Sequence, residues 1–263
     1  MTTTTTAAAQ ARTLPRFGGF STGMLALELR RLIRNKRTVV FTFVMPAAFF
    51  LIFGTSAEYR HDQLARGNVT GYIMVSMAVY GAMLATTSGG AMVSIERAAG
   101  WSRQLRLTPL RPAAYIGVKL VLAMAIGAVS VAVVNVVGAV AGAQLDTGPW
   151  LACALLSWVC ALVFAAFGLF MGYLLPSENV MQILGPALGI LGFAGGLFVP
   201  VDQFGSTFAA LAKFTPVYGV GEVARYPLTH SDHLWQAILN VVLWTGLFAA
   251  GAVWRFRRDT ARV

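Results

Sequence analysis

Few residues in this chain have side chains able to perform acid–base, nucleophilic or metal chemistry, and their spacing does not assemble a site. The three histidines, at positions 61, 230 and 233, lie outside the apolar segments, whereas a haem-binding helical bundle needs histidines within its helices. His230 and His233 could bind a metal together with Asp232, but solvated loop histidines are far more common than ligands. We therefore predict no metal site.

Nucleotide chemistry and covalent catalysis are also missing. The sequence contains no G-x-x-x-x-G-K-[ST] loop to hold phosphates, no H-E-x-x-H motif and no G-x-S-x-G motif. Cys153 and Cys160 share one helical face but lie about two turns apart, too far to bridge each other, and are interpreted as small packing residues. We expect the chain to be no enzyme and to hydrolyse no nucleotide itself.

The composition indicates a lipid solvent. Of 263 residues, 57% are hydrophobic and 11% are charged, with a mean hydropathy of +0.69. A soluble domain of this length normally carries about 25% charged residues, so a membrane is the simpler environment. The net charge of +10 arises from short basic clusters between apolar segments, which is typical of orientation signals and not of nucleic-acid binding.

Six apolar segments are each long enough to cross a ~30 Å hydrocarbon layer as a helix. Alternating segments of about ten residues, which a transmembrane barrel needs, are absent. The predicted fold class is therefore an all-α integral membrane protein, with a six-helix transmembrane domain over residues 38–254. The predicted spans are about 38–55, 70–93, 113–143, 149–175, 180–199 and 234–254.

The basic residues predict the orientation of these spans. Sixteen of the 20 lysines and arginines fall in the N-terminal segment, in or just after the loop that follows the second span, or at the C-terminus. Six spans with both termini on the basic side give this split, so both termini and the 94–112 loop are expected to be cytoplasmic. The predicted location is the inner (plasma) membrane, crossed several times.

The predicted spans contain almost no ionisable groups, which secondary transporters driven by protons or sodium usually keep at mid-membrane. Asn135 is the most polar residue deep in a span and is expected to make a helix–helix hydrogen bond. Lys119 lies near the cytoplasmic end of a span and is expected to extend its amine to the interface. Any active transport must therefore draw its energy from a partner protein.

The N-terminal flank has an amphipathic pattern. Residues 1–20 are rich in Thr and Ala, which predicts a disordered cytoplasmic tail. Residues 255–263 are predicted to form a second cytoplasmic tail. Within 21–37, leucines share one helical face, whereas Arg30, Arg34 and Arg37 occupy another. This pattern predicts an interfacial helix whose arginines reach lipid phosphates; a merely basic flank to the first span is the alternative.

The residue patterns of two further segments outside the spans predict that these segments are structured. The 94–112 loop contains Trp101, Leu105 and Leu107, which together would anchor a short cytoplasmic helix in a protein groove; the alternative is a plain basic loop whose apolar residues lie on the membrane. The external segment 200–233 predicts two short helices that dip into the outer leaflet, packed against other spans or a second subunit.

Four segments, taken in order, resemble the permease subunits of type 2 ABC transporters, particularly the daunorubicin-resistance-like drug exporters. The resemblance extends from about residue 20 to the C-terminus. Its segments are E-L-R-R-L-I-R-N-K-R at 28–37, E-R-A-A-G-W-S-R-Q-L-R-L-T-P-L at 96–110, L-G-F-A-G-G-L-F-V-P at 191–200 and T-P-V-Y-G-V-G-E-V-A-R at 215–225.

This resemblance implies roles for the segments outside the spans. Residues 94–112 would form a coupling helix that docks into a separate ATP-binding subunit, 21–37 a connecting helix, and 200–226 re-entrant external helices. Two ATP-binding subunits, carrying ATP and Mg, would work with two permease subunits, either identical or different. ATP binding would push on the coupling helices and switch a central cavity from inward to outward access. The chain itself would bind no cofactor.

The resemblance also carries residue assignments. Glu96 and Arg103 would be charge partners of the ATP-binding subunit, and Trp101 and Leu105 would fill its cleft. Apolar cargo contacts in the cavity would be Met74, Met77, Tyr80 and Phe167.

The implied function is that of a permease in an ATP-driven exporter of a hydrophobic drug-like or lipid cargo, acting in efflux and in multidrug or antibiotic resistance. The alternative is a non-transporting membrane scaffold or assembly protein. An intramembrane enzyme is disfavoured by the missing nucleophile and base.

Overall fold

The structure is a computed structural model that describes residues 36–56, 63–64, 66–100 and 112–261, together with isolated positions between 23 and 34. Trp101, Arg103, Leu105 and the 1–20 tail lie outside this described part. Ten α-helices and one hairpin run along it in this order: α1 (Lys36–Val39), α2 (Met45–Gly54), β1 (Gln63–Leu64), β2 (Gly67–Asn68), α3 (Val69–Ala98), α4 (Pro112–Val140), α5 (Thr147–Cys160), α6 (Leu162–Leu174), α7 (Val180–Ala194), α8 (Ser206–Ala212), α9 (Pro216–Thr229) and α10 (Leu234–Ala261).

Within the described ranges, four helical stretches are long and apolar enough to cross a membrane: Val69–Ala98, Tyr115–Val140, Thr147–Leu174 and Leu234–Arg258. Two shorter apolar stretches, Val40–Gly54 and Val180–Ala194, coincide with the first and fifth predicted spans. A helix of that length covers roughly 22 Å, less than the ~30 Å hydrocarbon layer. The apolar, helical architecture is that of an integral membrane protein, whereas six complete spans stay a prediction.

The fifth span is shorter than predicted because its helix ends at two glycines. The prediction carried it to Val199, but α7 stops at Ala194, and Gly196 adopts a positive φ of 79°. This left-handed conformation suits glycine and ends the helix. The residues after Gly196 therefore turn back towards the rest of the protein, and Leu197 is buried there.

A π-helical segment, Val40–Val44, joins α1 to α2 in the first apolar stretch. Pro46 lacks an N–H, so it cannot bond the carbonyl of Thr42 four residues earlier, and its ring would crowd that carbonyl in a regular α-helix. The π geometry accommodates the proline. The Thr42 carbonyl instead accepts a hydrogen bond from the Ser130 hydroxyl of α4, at 2.8 Å, with both residues buried.

Helix α3 is the centre of the packing and is buried over most of its length. It touches α6 almost backbone to backbone. A Cβ added to Gly168 would come within 2.2 Å of the Thr87 carbonyl oxygen, and one added to Gly90 within 2.6 Å of the Leu169 nitrogen. Small residues permit such close helix contacts in a membrane, where apolar burial alone gives little drive for association.

Two hydroxyl groups of α3 donate hydrogen bonds to backbone carbonyls at the break between α5 and α6, which falls at Ala161. Helices α5 and α6 occupy the fourth predicted span, which the sequence had given as one helix over 149–175. Thr86 Oγ1 donates to the Ala161 carbonyl at 3.2 Å, and Thr87 Oγ1 donates to the Phe164 carbonyl at 3.3 Å. Both threonines are fully buried, so their hydroxyls find acceptors inside the bundle, where solvent cannot reach them.

The N-terminal end of α3 and the C-terminal end of α4 are tied together by one asparagine. Asn68 caps α3, and its Oδ1 accepts hydrogen bonds from the backbone N–H groups of Gly71 (2.8 Å) and Gln144 (2.9 Å). Its Nδ2 donates to the Gly142 carbonyl at 3.0 Å. Asparagine is a favoured N-cap because its oxygen satisfies an otherwise unpaired helix N–H. Within the bundle, Asn135 accepts from Trp150 Nε1 at 2.8 Å, which confirms its predicted helix–helix role.

The 200–233 segment contains a short 3-10 turn, Val201–Gln203, followed by α8 and α9. Thr215 caps α9 by accepting from the Tyr218 N–H at 3.2 Å, and Pro216 occupies the first turn, where a missing N–H costs nothing. Helix α10 holds the preceding segment through Asn240 and Trp244, which donate to the Lys213 and Phe214 carbonyls at 3.0 and 2.9 Å. The depth of these helices in the outer leaflet stays a prediction.

The Ser130–Thr42 contact generates a stability prediction. Ser130→Ala should lower the free energy of unfolding by about 1 kcal/mol or more, because the buried Thr42 carbonyl loses its donor next to Pro46. The matched control is Thr245→Val, whose hydroxyl donates to Val241 at 2.7 Å within a regular stretch of α10. Thermal unfolding of both variants in lipid nanodiscs checks this; equal midpoints would contradict it.

Candidate functional site: a buried charge network between the ends of α3 and α4

The last two turns of α3 and the first turns of α4 flank the 101–111 segment and meet in a buried charge network. Glu96, in the final turn of α3, is 5% exposed, and Lys119, in α4, is 1% exposed. Lys119 Nζ donates to Glu96 Oε1, and the Tyr115 hydroxyl donates to Glu96 Oε2. The Lys119 amine also lies 5.5 Å from the centre of the Tyr115 ring. Each oxygen of the buried carboxylate thus has a donor.

The adjacent residue, Arg97, binds the other side of the bundle. Its Nη1 donates to the carbonyls of Gly172 (3.2 Å) and Tyr173 (3.1 Å) at the C-terminal end of α6. Cations are favoured there because the last carbonyls of a helix lack partners and carry partial negative charge. The guanidinium also lies 5.4 Å from the centre of the Tyr173 ring, which packs edge-on against Phe256 of α10 at 5.7 Å.

These positions revise the sequence interpretation of Lys119. It was expected to extend towards the cytoplasmic interface, but this is wrong: the amine is buried and paired with Glu96. The lysine stays buried because its departure would leave the buried Glu96 charge without a cation, which costs more than burying the ion pair.

Glu96 lies at the base of the predicted docking segment, turned into the bundle. Its direct contact with an ATP-binding subunit stays a prediction, as do those of Trp101, Arg103 and Leu105, which the described part does not include. Arg30 and Arg34 are helical and exposed, as an interfacial helix requires, and Arg37 lies in α1. Their contact with lipid phosphates also stays a prediction.

The four predicted cargo residues are packed inside this chain. Met74 and Met77 have no exposed surface, and Tyr80 is 5% exposed. Phe167, on α6, packs against Phe248 of α10 with ring centres 4.9 Å apart. A cargo would reach Met74, Met77 and Tyr80 only after the helices separate, whereas Phe167 is partly exposed. The cargo role of all four residues stays a prediction.

Tyr80 belongs to an aromatic cluster that the sequence analysis did not single out. Phe198, just after the glycine turn that ends α7, contacts Tyr80 at 4.9 Å, Phe49 at 5.5 Å and Phe53 at 6.0 Å between ring centres. The cluster joins α2, α3 and the turn, and Phe53 is 42% exposed at its edge. The glycine pair at 195–196 could have indicated this cluster from the sequence, because two glycines favour a turn and the bulky Phe198 follows them closely.

A second buried cation holds the opposite end of α3. Arg225 of α9 is 2% exposed and donates to Ser76 Oγ and to the Gly196 carbonyl, both at 3.1 Å. Its Nη2 pairs with Glu222 at 3.1 Å, and its guanidinium lies 4.9 Å from the centre of the Tyr72 ring. Arg225 therefore fastens α9 and the glycine turn to α3.

Among the described residues, no group of three or more His, Cys, Asp and Glu side chains is placed to hold a metal ion. Cys153 and Cys160 are free and buried, which confirms their packing role. Apolar helices with internally paired polar side chains define a multi-pass membrane protein.

Comparison with known proteins gives the family. The family described as "ABC-2 type transporter" matches residues 23–228. A protein of Bacillus subtilis (strain 168) named "Putative transport permease YvfS" is 28% identical over 224 residues, covering 84% of this chain and 90% of that relative. The chain belongs to the ABC-2 type transporter family, which supports the role of a transport permease.

The Arg225 contacts generate a second stability prediction. Arg225→Met should lower the free energy of unfolding by about 1–3 kcal/mol, because the buried Gly196 carbonyl and Ser76 hydroxyl lose their donor. The free energy of unfolding of Arg225→Lys should fall between those of the parent and of Arg225→Met, since an ammonium cannot reproduce the planar set of donors.

The matched control for Arg225 is Arg66→Met, which removes an exposed arginine from the loop between β1 and β2. Unfolding midpoints measured in nanodiscs decide the matter. If the Arg225 and Arg66 variants lose the same stability, the buried contacts described above contribute nothing.

Proposed function

We propose that this chain is the membrane-spanning subunit of an ATP-driven exporter and that a separate ATP-binding subunit supplies the energy. Permeases of the ABC-2 family normally work with such a subunit. The sequence has no phosphate-binding loop of its own, which supports the same division of labour. The observation that carries the proposal is the family match over 23–228, which includes the arginine-rich 94–112 loop.

In this proposal, the ATP-binding subunit docks on the 101–111 segment. Trp101 and Leu105 fill its cleft and Arg103 pairs with an acidic group, since aromatic and arginine side chains dominate the energetics of protein interfaces. The buried position of Glu96 favours support of this segment from within over direct contact. Two permease chains and two ATP-binding subunits, the latter carrying ATP and Mg, form the working complex.

The membrane arrangement in the proposal keeps six spans and both termini in the cytoplasm. Sixteen of the 20 lysines and arginines support this orientation. The short stretches Val40–Gly54 and Val180–Ala194 would cross with the help of flanking residues or a locally thinned bilayer. Residues 21–37 would lie along the cytoplasmic interface, and α8 and α9 would dip into the outer leaflet.

The proposed cargo is a hydrophobic drug-like molecule or a lipid, moved outwards. The apolar surroundings of Met74, Met77, Tyr80 and Phe167 support this class, and the aromatic cluster around Phe198 adds ring faces next to Tyr80. Export, with the drug efflux and resistance that would follow, rests on the resemblance to drug exporters.

The orientation is testable by cysteine labelling. In a Cys153→Ala/Cys160→Ala background, Ser102→Cys should react with a membrane-impermeant maleimide only after the cells are permeabilised. The control is Asp232→Cys, at an exposed position between α9 and α10, which should react in intact cells. Labelling of the Ser102→Cys variant in intact cells would place the loop outside and end the proposal.

The docking surface is testable by co-purification with the ATP-binding subunit. Trp101→Ala/Arg103→Ala should reduce the amount of complex at least tenfold, about 1.4 kcal/mol, because an aromatic anchor and a charge partner are both lost. The matched control is Trp235→Ala/Arg66→Ala, which removes one exposed tryptophan and one exposed arginine elsewhere. Parental complex formation by the Trp101/Arg103 variant would refute the assignment. A stable complex without transport would favour the scaffold alternative.

A further inference from the structure

Helix α10 is the least buried of the four long apolar stretches: 17% of its most apolar window is buried, against 39–78% in the other three. Two tryptophans on its surface, Trp235 and Trp254, are 64% and 53% exposed. They are 19 residues apart, which is roughly 28 Å along a helix and matches the ~30 Å hydrocarbon layer. Tryptophan is enriched at the two boundaries between hydrocarbon and headgroups. Helix α10 therefore places one tryptophan at each boundary.

The two ends of α10 differ in charge. Residues 255–263 contain four arginines and one aspartate, whereas residues 226–254 contain no lysine or arginine. Of the two boundaries that α10 reaches, the one at Trp254 is therefore the one that attracts an anion.

Two of the four arginines lie against the Trp254 ring. The guanidinium carbons of Arg255 and Arg258 are 5.5 Å and 4.9 Å from its centre. An indole face attracts a cation, so one ring holds both guanidiniums close to the boundary. A guanidinium presents a planar set of donors that matches the oxygens of a phosphate group.

These two arginines have unused hydrogen-bonding capacity. Arg255 Nε is enclosed by protein atoms and has no acceptor. Neither guanidinium donates a hydrogen bond to, or forms an ion pair with, another residue in the part of the chain that the structure describes. Because an enclosed donor without an acceptor is destabilising, an acceptor supplied from outside the chain would stabilise this end of α10.

An exposed apolar stripe leads along α10 to the arginines. Leu243 and Leu247 are 61% and 59% exposed. They lie on one helical face with Trp254 and Arg258, since residues four and seven apart fall on the same side of a helix. From Leu243 to Trp254 the stripe is roughly 16 Å long, about the hydrocarbon thickness of one leaflet. This length suits an acyl chain whose phosphate lies at the arginines.

We propose that Trp254, Arg255 and Arg258 bind the headgroup phosphate of an anionic phospholipid whose acyl chain lies along Leu243 and Leu247. Charge complementarity selects this occupant. A second copy of this chain in the same orientation would bring its own arginines to the same depth, where like charges repel. The inference goes beyond the proposed function and does not depend on it.

The first test measures lipid binding to the delipidated full-length protein by native mass spectrometry. Phosphatidylglycerol should bind about tenfold more tightly than phosphatidylcholine with the same acyl chains, because only the former has a net negative charge. The variant Arg255→Gln/Arg258→Gln should bind the two lipids alike. A parent without this preference, or a variant that keeps it, would overturn the proposal.

Two matched controls separate a site from a general effect. Arg66→Gln/Lys213→Gln removes the same charge from exposed positions outside α10 and should keep the tenfold preference. Trp254→Ala should weaken phosphatidylglycerol binding severalfold because the guanidiniums lose their ring, whereas Trp235→Ala should not. Equal losses in a variant and its control would mean that total charge or any exposed tryptophan decides the binding, and the proposed site would be refuted.

Photo-crosslinking in nanodiscs locates the acyl chain. Phosphatidylglycerol with a diazirine in its acyl chain should label residues 243–254 of the parent, and labelling there should fall about tenfold in the Arg255/Arg258 variant. Unchanged labelling would contradict the proposal. Release of the lipid by millimolar inorganic phosphate would indicate a site for a free anion and would contradict it equally.

A disulfide test examines the other possible occupant of the stripe. In a Cys153→Ala/Cys160→Ala background, Leu247→Cys should stay monomeric on oxidation in phosphatidylglycerol nanodiscs that hold two copies of the protein. A high yield of disulfide-linked dimer would assign this face to a second copy and end the proposal.

Discussion

The requirement that polar groups find partners inside the protein, because lipid offers none, governs this structure. It is most visible along α3, the helix with the least contact with the surroundings. Thr86 and Thr87 donate to carbonyls at the break between α5 and α6, and Ser76 accepts from Arg225. Each hydrogen bond also fixes the relative position of two helices, so solvation of polar groups and helix packing are solved by the same contacts.

The charged residues extend this rule to the two ends of α3. At its C-terminal end, Glu96 and Arg97 hold α4 and α6; towards its N-terminal end, Arg225 holds α9 and the glycine turn. Between them the contacts are apolar or involve hydroxyls. A transport permease must hold its helices in register while it changes shape, and strong contacts at the ends with neutral packing between them suit that need.

The sequence predicted the helical membrane architecture well, because long apolar segments with little charge leave few alternatives. Its prediction of Lys119 was wrong because the basic-inside rule treats each lysine as solvated and ignores a carboxylate 23 residues earlier in the chain. The available signal was a pair of opposite charges at the facing ends of neighbouring spans. Arg225 was counted only as an external charge, although Glu222 stands three residues before it. The break at Ala161 and the packing of Met74 depend on neighbours distant in sequence, and periodicity does not report them.

The π-helical segment in the first apolar stretch makes the helical residues before it and after it face different directions. One extra residue in a helical turn rotates everything before it by roughly 100° relative to everything after it. The predicted basic face of residues 21–37 and the exposed side of α2 therefore need not lie along one stripe. Substitutions before the π-helical segment can therefore leave the contacts of Phe49 and Phe50 inside the bundle unchanged. A proline and one serine hydroxyl thus give this membrane protein two independently adjustable surfaces on a single continuous helix.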